Sequence, residues 1–123
     1  MERSLIQTLV GQSMTLPREI TDRFPELDAV NWRRGGMPVR IAGWFLGQQS
    51  AAAITLWRTV FLAPAQRPEA ELLLHELRHV HQFEERLTFP LQYIWESLRR
   101  GYYKNRFEAD ARAYAARRVR DSV

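Results

Sequence analysis

His75-Glu76-Leu77-Arg78-His79-Val80-His81-Gln82 holds all three histidines of this 123-residue chain. Histidine is the side chain that most readily exchanges a proton or binds a transition metal near neutral pH. His75 and His79 stand four apart with Glu76 directly after the first, which is the HExxH arrangement. On a helix this spacing stacks the two imidazoles one turn apart on one face, a separation at which they can share one zinc ion. Glu76 then lies beside the metal, where a general base for an attacking water would sit. Leu73, Leu77, Val80 and Glu84 run down one stripe of such a helix, and Leu72, Glu76, His79 and Phe83 down its neighbour. The pattern predicts a helix from about Pro68 to Glu85, with Glu69 and Glu71 near the positive end of its dipole.

Working outward, Thr88 and Pro90 break the pattern and open a second helix from Pro90 to Arg99, with Leu91, Ile94, Trp95 and Leu98 as its apolar face. Gly101 is placed to end it, and a last helix is expected from Arg106 to Arg118. Upstream, Pro17 to Phe24 reads as one or two helical turns stopped by Pro25, and Gly35-Gly36 marks a turn after the apolar piece Leu27 to Trp32. Val39–Leu46 and Ala53–Leu62 are apolar, β-branched and aromatic runs on either side of Gly47-Gln48-Gln49-Ser50, and they predict the two strands of an antiparallel hairpin. Arg58 interrupts the second run, which hints at a sheet edge. The expected fold class is α+β: a small antiparallel or mixed sheet, the HExxH helix, and a following helix that carries a glutamate, all in a single domain over residues 1–123.

Composition narrows the chemistry. There are no cysteines, so disulfides and thiolate metal sites are excluded and any metal must be held by histidine and carboxylate. The opening residues, Met1 to Gln7, lack a charged segment followed by a long apolar run, and no apolar stretch approaches a membrane span. The expectation is a cytoplasmic protein without a membrane partner, folding alone or as an oligomer. The net charge of +4 comes almost entirely from arginine, since Lys104 is the only lysine. Arg99, Arg100, Arg106, Arg112, Arg117, Arg118 and Arg120 crowd the C-terminal region. They fit either an anionic partner such as nucleic acid or a solvated helical face. The second reading is preferred, because no aromatic-interleaved or glycine-rich RNA motif accompanies the charge.

Two imidazoles make an incomplete zinc site, so a third protein ligand is required. His81 lies two residues past His79, about 200° round the helix, and reads as a surface or packing histidine rather than a ligand. The third ligand must then be a carboxylate. Glu108 is the best placed, at the start of the last helix with the small residues Ala111 and Ala115 near it on one face. Asn105, three residues earlier, offers the competing reading of a capping box at the surface. Asp110 competes as a ligand but is preferred as an acceptor that orients a ligand histidine.

The motif with a downstream Glu108 resembles the gluzincin branch of zinc metallopeptidases, and the small size resembles their minimal versions, the minigluzincins. The segment from His75 to Gln82 is also similar to the compact HExxH domain of proteins linked to extracellular contractile injection systems. The resemblance covers roughly Ala53 to Ala115. It implies a zincin-like fold, Zn2+ held by His75, His79 and Glu108, and Glu76 polarising the attacking water. It further implies a peptide or protein substrate paired along an edge strand within Ala53–Leu62, and an oxyanion donor from Tyr102 or Tyr103, with Tyr93 a further choice. Each tyrosine also fits plain packing. Unlike larger gluzincins, the chain has only a short stretch after the motif. The expected function is therefore a zinc metallopeptidase, active or latent, and the alternative is a non-catalytic zinc-binding module that docks onto a larger assembly.

Overall fold

The structure is a computed structural model and describes residues 2–45 and 52–122. The fold is α+β, in two compact units, Met1–Pro68 and Glu69–Val123. The first unit contains α1 (Glu2–Val10), β1 (Gln12–Ser13), α2 (Arg18–Arg23), a short 3-10 helix (Pro25–Ala29), β2 (Asn31–Arg34), α3 (Met37–Phe45), β3 (Ala53–Leu56) and β4 (Thr59–Leu62). Its sheet is mixed and ordered β1-β2-β4-β3. β2 runs parallel to β4, from Asn31 opposite Thr59 to Arg34 opposite Leu62, while β1 and β3 pair antiparallel at the two edges. Val39, Phe61 and Ala63 form a buried cluster under this sheet, with Ile54 and Leu56 packed against it.

Two glycines permit a close backbone crossing in this unit. Gly11 takes φ 69, and a Cβ there would stand 2.5 Å from the Arg34 carbonyl oxygen. Gly36 takes φ 104, and a Cβ there would meet the Gly11 nitrogen at 2.9 Å. Only glycine combines that positive φ with the absence of a side chain.

The hairpin differs from the sequence expectation. Val39 to Phe45 belongs to helix α3, and the hairpin is built wholly within Ala53–Leu62, with Trp57-Arg58 as its two-residue turn. Gly47 to Ser50, expected as the turn, and Leu46 lie outside the described residues. The turn has no glycine or asparagine to announce it, and Trp57 itself adopts the left-handed φ of 56. Arg58 is thus a turn residue rather than an edge marker inside a strand. Its guanidinium donates to the Ala29 carbonyl at 3.1 Å, and its own carbonyl accepts from the Asn31 amide at 2.9 Å.

The second unit is three helices: α4 (Ala70–Glu85), α5 (Phe89–Lys104) and α6 (Arg106–Asp121). Leu73, Leu74, Leu77 and Val80 of α4 are buried, as are Phe107, Ala111 and Ala115 of α6, and these two helices pack along one another. Small side chains at 111 and 115 let the backbones approach, which brings the start of α6 to the middle of α4. Gly101 leaves helical geometry at φ 80 and ψ 169, so α5 is interrupted there. Phe89 packs edge-on to Phe83 and Phe107, with ring centroids 4.7 and 5.0 Å away. The apolar face expected of this helix is not its buried face: Leu91, Ile94, Trp95 and Leu98 are exposed, whereas Phe89 and Glu96 are buried.

Asn105 ties the helices together. Its Oδ1 caps α6 by accepting from the Phe107 amide at 2.8 Å, while its Nδ2 donates to the Tyr93 carbonyl at 3.1 Å and to Ser97 Oγ at 2.9 Å. The side chain is fully buried, so truncation both removes a cap and strands two acceptors. Asn105→Ala is expected to cost about 2–4 kcal/mol in urea unfolding; a loss under about 0.5 kcal/mol would contradict this role.

Candidate metal centre

The ligating atoms of His75, Glu76 and His79 lie within 4.8 Å of one another on α4, forming a cluster able to hold a metal ion. Helical periodicity places His75 and His79 one turn apart, and their rings meet edge-on with centroids 5.0 Å apart. His79 and Glu76 are buried and His75 is half-buried, so one imidazole marks the more open side of the cluster.

Glu108 reaches this cluster from the first turn of α6. Its Oε1 lies 2.8 Å from His75 Nε2 and 3.2 Å from His79 Nε2. The capping reading does not describe Glu108: Asn105 caps the helix through the Phe107 amide, and the Glu108 carboxyl is buried against the histidines. Burial would raise its pKa, but hydrogen bonds from His75, His79 and Tyr93 hold it well below the usual carboxylate range. An ionised carboxylate only accepts, so both Nε2 atoms donate to it.

His79 is fixed from its other side as well. Its Nδ1 lies 2.7 Å from Gln82 Oε1. The Gln82 amide nitrogen donates to the Phe107 carbonyl at 3.1 Å and to Asp110 Oδ2 at 2.9 Å, which orients the amide with its oxygen toward the imidazole. His79 Nδ1 is therefore a donor, and its Nε2 faces the Glu108 oxygen. Burial alone would lower the His79 pKa, but the hydrogen bond to Glu108 and the charges of Glu76 and Glu108 raise it to about 9.

The remaining sequence candidates fall at different distances from this centre. Asp110 reaches His79 only through Gln82; Arg78 Nε also donates to Asp110, at 2.6 Å, and these partners outweigh burial to hold its carboxyl below the ordinary range. Tyr93, from α5, donates its hydroxyl to Glu108 Oε2, and its ring packs edge-on to His79 at 6.1 Å. Burial and the Glu108 charge push the Tyr93 phenol above its ordinary pKa, and the same two causes raise that of Tyr102. Tyr103 stands 73% exposed with the Arg112 guanidinium 4.2 Å from the centre of its ring. His81 packs edge-on to Tyr114 at 5.7 Å and contributes nothing to the cluster.

Sequence reasoning missed Gln82 as a partner of His79. The signal was present: on a helix, a residue three positions on lies beside the one before it. Of the three tyrosines singled out in the sequence, Tyr93 donates its hydroxyl to the Glu108 carboxylate and Tyr102 is also hydrogen-bonded to it.

The donor set fits a zinc-type ion. Ligand atoms at about 2.0–2.1 Å from one tetrahedral ion stand roughly 3.3 Å apart, and the two Nε2-to-Oε1 separations here are 2.8 and 3.2 Å. Each imidazole would therefore need to move only slightly from the Glu108 oxygen for the pair to share an ion.

In metal-free protein the Glu108 pairing carries a pH signature. His79 has its folded pKa raised from 6.5 to about 9, so its contribution is complete below pH 6.5 and is lost as pH rises through about 9. Glu108 has its pKa lowered from 4.5, so its contribution is present above that value and lost as pH falls. Melting of chelator-treated protein should therefore be most resistant between about pH 4.5 and 6.5 and decline toward pH 9. A melting temperature that stays flat from pH 6.5 to 9 would contradict the pairing.

The family model described as eCIS core domain matches residues 17–86, more than half of the chain and including the whole HExxH helix. Neither a curated protein nor a solved structure matches the chain. Among the described residues, no helix is long and apolar enough to cross a membrane.

Proposed function

The chain belongs to the eCIS core domain family, and from that membership and the buried cluster we propose that it is the zinc-binding, hydrolytic core domain of a contractile injection system component. His75, His79 and Glu108 hold the metal, and Glu76 serves as general base for peptide-bond hydrolysis. The observation that carries this reading is the single Glu108 oxygen shared by the two imidazoles. That arrangement leaves three ligand atoms converging beside a fourth, buried carboxylate.

Bound zinc would supply Lewis acidity, acidifying a coordinated solvent molecule and polarising a carbonyl. The chain's own residues supply the rest. Glu76 is buried next to both histidines and takes the proton of the attacking solvent on its carboxylate, then returns it to the leaving amine. Gln82 holds His79 in the tautomer that presents Nε2 to the centre. Tyr93 and Tyr102 sit at Glu108, where Tyr93 steadies the carboxylate and a phenol released from it could donate to a developing oxyanion.

A second reading is favoured by that same tyrosine arrangement. With the Tyr93 hydroxyl committed to Glu108 and Tyr103 at the surface, the domain fits a metal-stabilised docking module that cuts nothing. The two readings separate in one comparison. Purified protein reconstituted with zinc should bind one equivalent. Glu76→Gln should keep the metal and lose peptide cleavage by about 10²-fold or more. Equal turnover by wild type and Glu76→Gln would assign any activity to a contaminant and leave the docking module.

Two binding predictions follow from the site itself. Gln82→Leu should weaken zinc about 10–100-fold in a competitive chelator titration, because the His79 tautomer is released; unchanged affinity would remove Gln82 from the site. Zinc affinity should also climb as pH rises toward about 9, because the metal must displace the His79 proton. A pH-independent affinity would show that His79 is not a ligand.

A further inference from the structure

Two phenols meet the Glu108 carboxylate, and they are held in different ways. Tyr93 sits in the regular part of α5, with its ring edge-on to Phe89 at 5.8 Å and to His79 at 6.1 Å. Its carbonyl also accepts from the buried Asn105 side chain. Tyr102 lies past the break at Gly101 and stands 45% exposed, so of the two phenols it is the one open to solvent.

Gly101 decides that placement. Steps of four and three run along α5 from Phe89 through Tyr93, Glu96 and Arg100 to Tyr103, which is the spacing of one helix face. Phe89 and Glu96 are buried, Tyr93 meets Glu108 and Arg100 pairs with Glu96, so this face is the inward one. An unbroken helix would therefore turn Tyr103 inward and hold Tyr102 about 100° round from it. The structure has the reverse. Gly101 takes φ 80 and ψ 169, a combination essentially reserved for glycine, and past it Tyr102 meets Glu108 while Tyr103 is exposed. A Cβ added at Gly101 would meet nothing within 4 Å, so the glycine is needed for its backbone angles rather than for space. The displaced Tyr103 is fastened from α6, where the Arg112 guanidinium stands 4.2 Å from its ring centre and donates to its carbonyl.

We propose that residues 101–104 form a strap closed over Glu108, in which Gly101 selects Tyr102 as the second phenol, Arg112 holds the strap shut, and its opening sets how fast a metal ion enters and leaves. This gate rests on the reading that His75, His79 and Glu108 hold the metal. Glu108 is buried, so an ion reaches it only as the groups around its carboxylate give way. Of those partners, the two histidines belong to α4 and Tyr93 is packed within α5; only Tyr102 lies past the break in its helix.

The test follows zinc uptake and release by the intact chain in stopped flow against a fluorescent chelator, with equilibrium affinity measured alongside. Opening a gate speeds both directions and leaves affinity nearly unchanged, whereas a merely weakened site speeds release alone. Tyr102→Phe and Arg112→Gln should each raise both rates about tenfold, the worth of one hydrogen bond involving a charged group, with affinity within about threefold of wild type. Gly101→Ala should do the same, and adding Tyr102→Phe to it should change little more, because both act through one strap. Tyr103→Phe keeps the ring beside Arg112 and should exchange zinc as wild type does. In metal-free protein, amide hydrogen exchange of the strap should quicken in Arg112→Gln while α4 keeps its protection, which separates an open strap from a lost fold. One zinc bound, with rates that Tyr102→Phe and Arg112→Gln leave unaltered or speed for release alone, overturns the gate and leaves the metal centre standing. A wild type that binds no zinc overturns both.

Discussion

One carboxylate oxygen organises the second unit. Oε1 of Glu108 accepts from two imidazoles that a helical turn has placed one above the other, and so ties the start of α6 to the middle of α4. A buried carboxylate is costly unless it is paired and hydrogen-bonded. Here the pairing is complete: two histidines share one oxygen and a tyrosine holds the other. The same groups form an ion pair, and in the proposed function they would be the ligands of a bound metal.

The surroundings of that oxygen are arranged to keep it there. Asn105 caps α6 and at the same time grips the Tyr93 carbonyl, so the helix that carries Glu108 and the helix that carries its tyrosine are fixed by one side chain. Gln82 performs the matching task on the other flank. It bonds His79, the backbone of α6 at Phe107 and the Asp110 carboxylate, which Arg78 holds in turn. Each residue has a structural reason to be present, and each narrows the orientation of a candidate ligand. Rigid ligands of this kind raise metal affinity by limiting what must be ordered on binding.

The centre was more legible in the sequence than the sheet was. Histidine spacing on a strongly periodic helix fixes a face without any tertiary information, and the alanines at 111 and 115 mark where a second helix can come close. Glu108 was ambiguous because Asn105 three residues earlier suits a capping box; burial of the carboxylate against the histidines removes the capping role, and burial is a tertiary fact. The segment Val39–Phe45 was misread because a short apolar run fits a buried strand or a helix equally well. The true hairpin turn was hidden by Trp57, a residue that turn statistics do not expect at positive φ. The apolar stripe of α5 was read correctly as a stripe, but its direction was not, because the buried Phe89 and Glu96 lie on the other side of the helix.

The family match covers α4 but stops short of Glu108, so Glu108 as the proposed third ligand rests on the geometry of this chain alone. X-ray absorption at the zinc edge of the reconstituted protein addresses that ligand most directly. The account predicts scattering from two imidazoles together with a carboxylate oxygen, and a Glu108→Ala spectrum in which the two imidazoles remain while the light-atom shell changes. A wild-type spectrum with three imidazoles, or one that Glu108→Ala leaves unaltered, would contradict it.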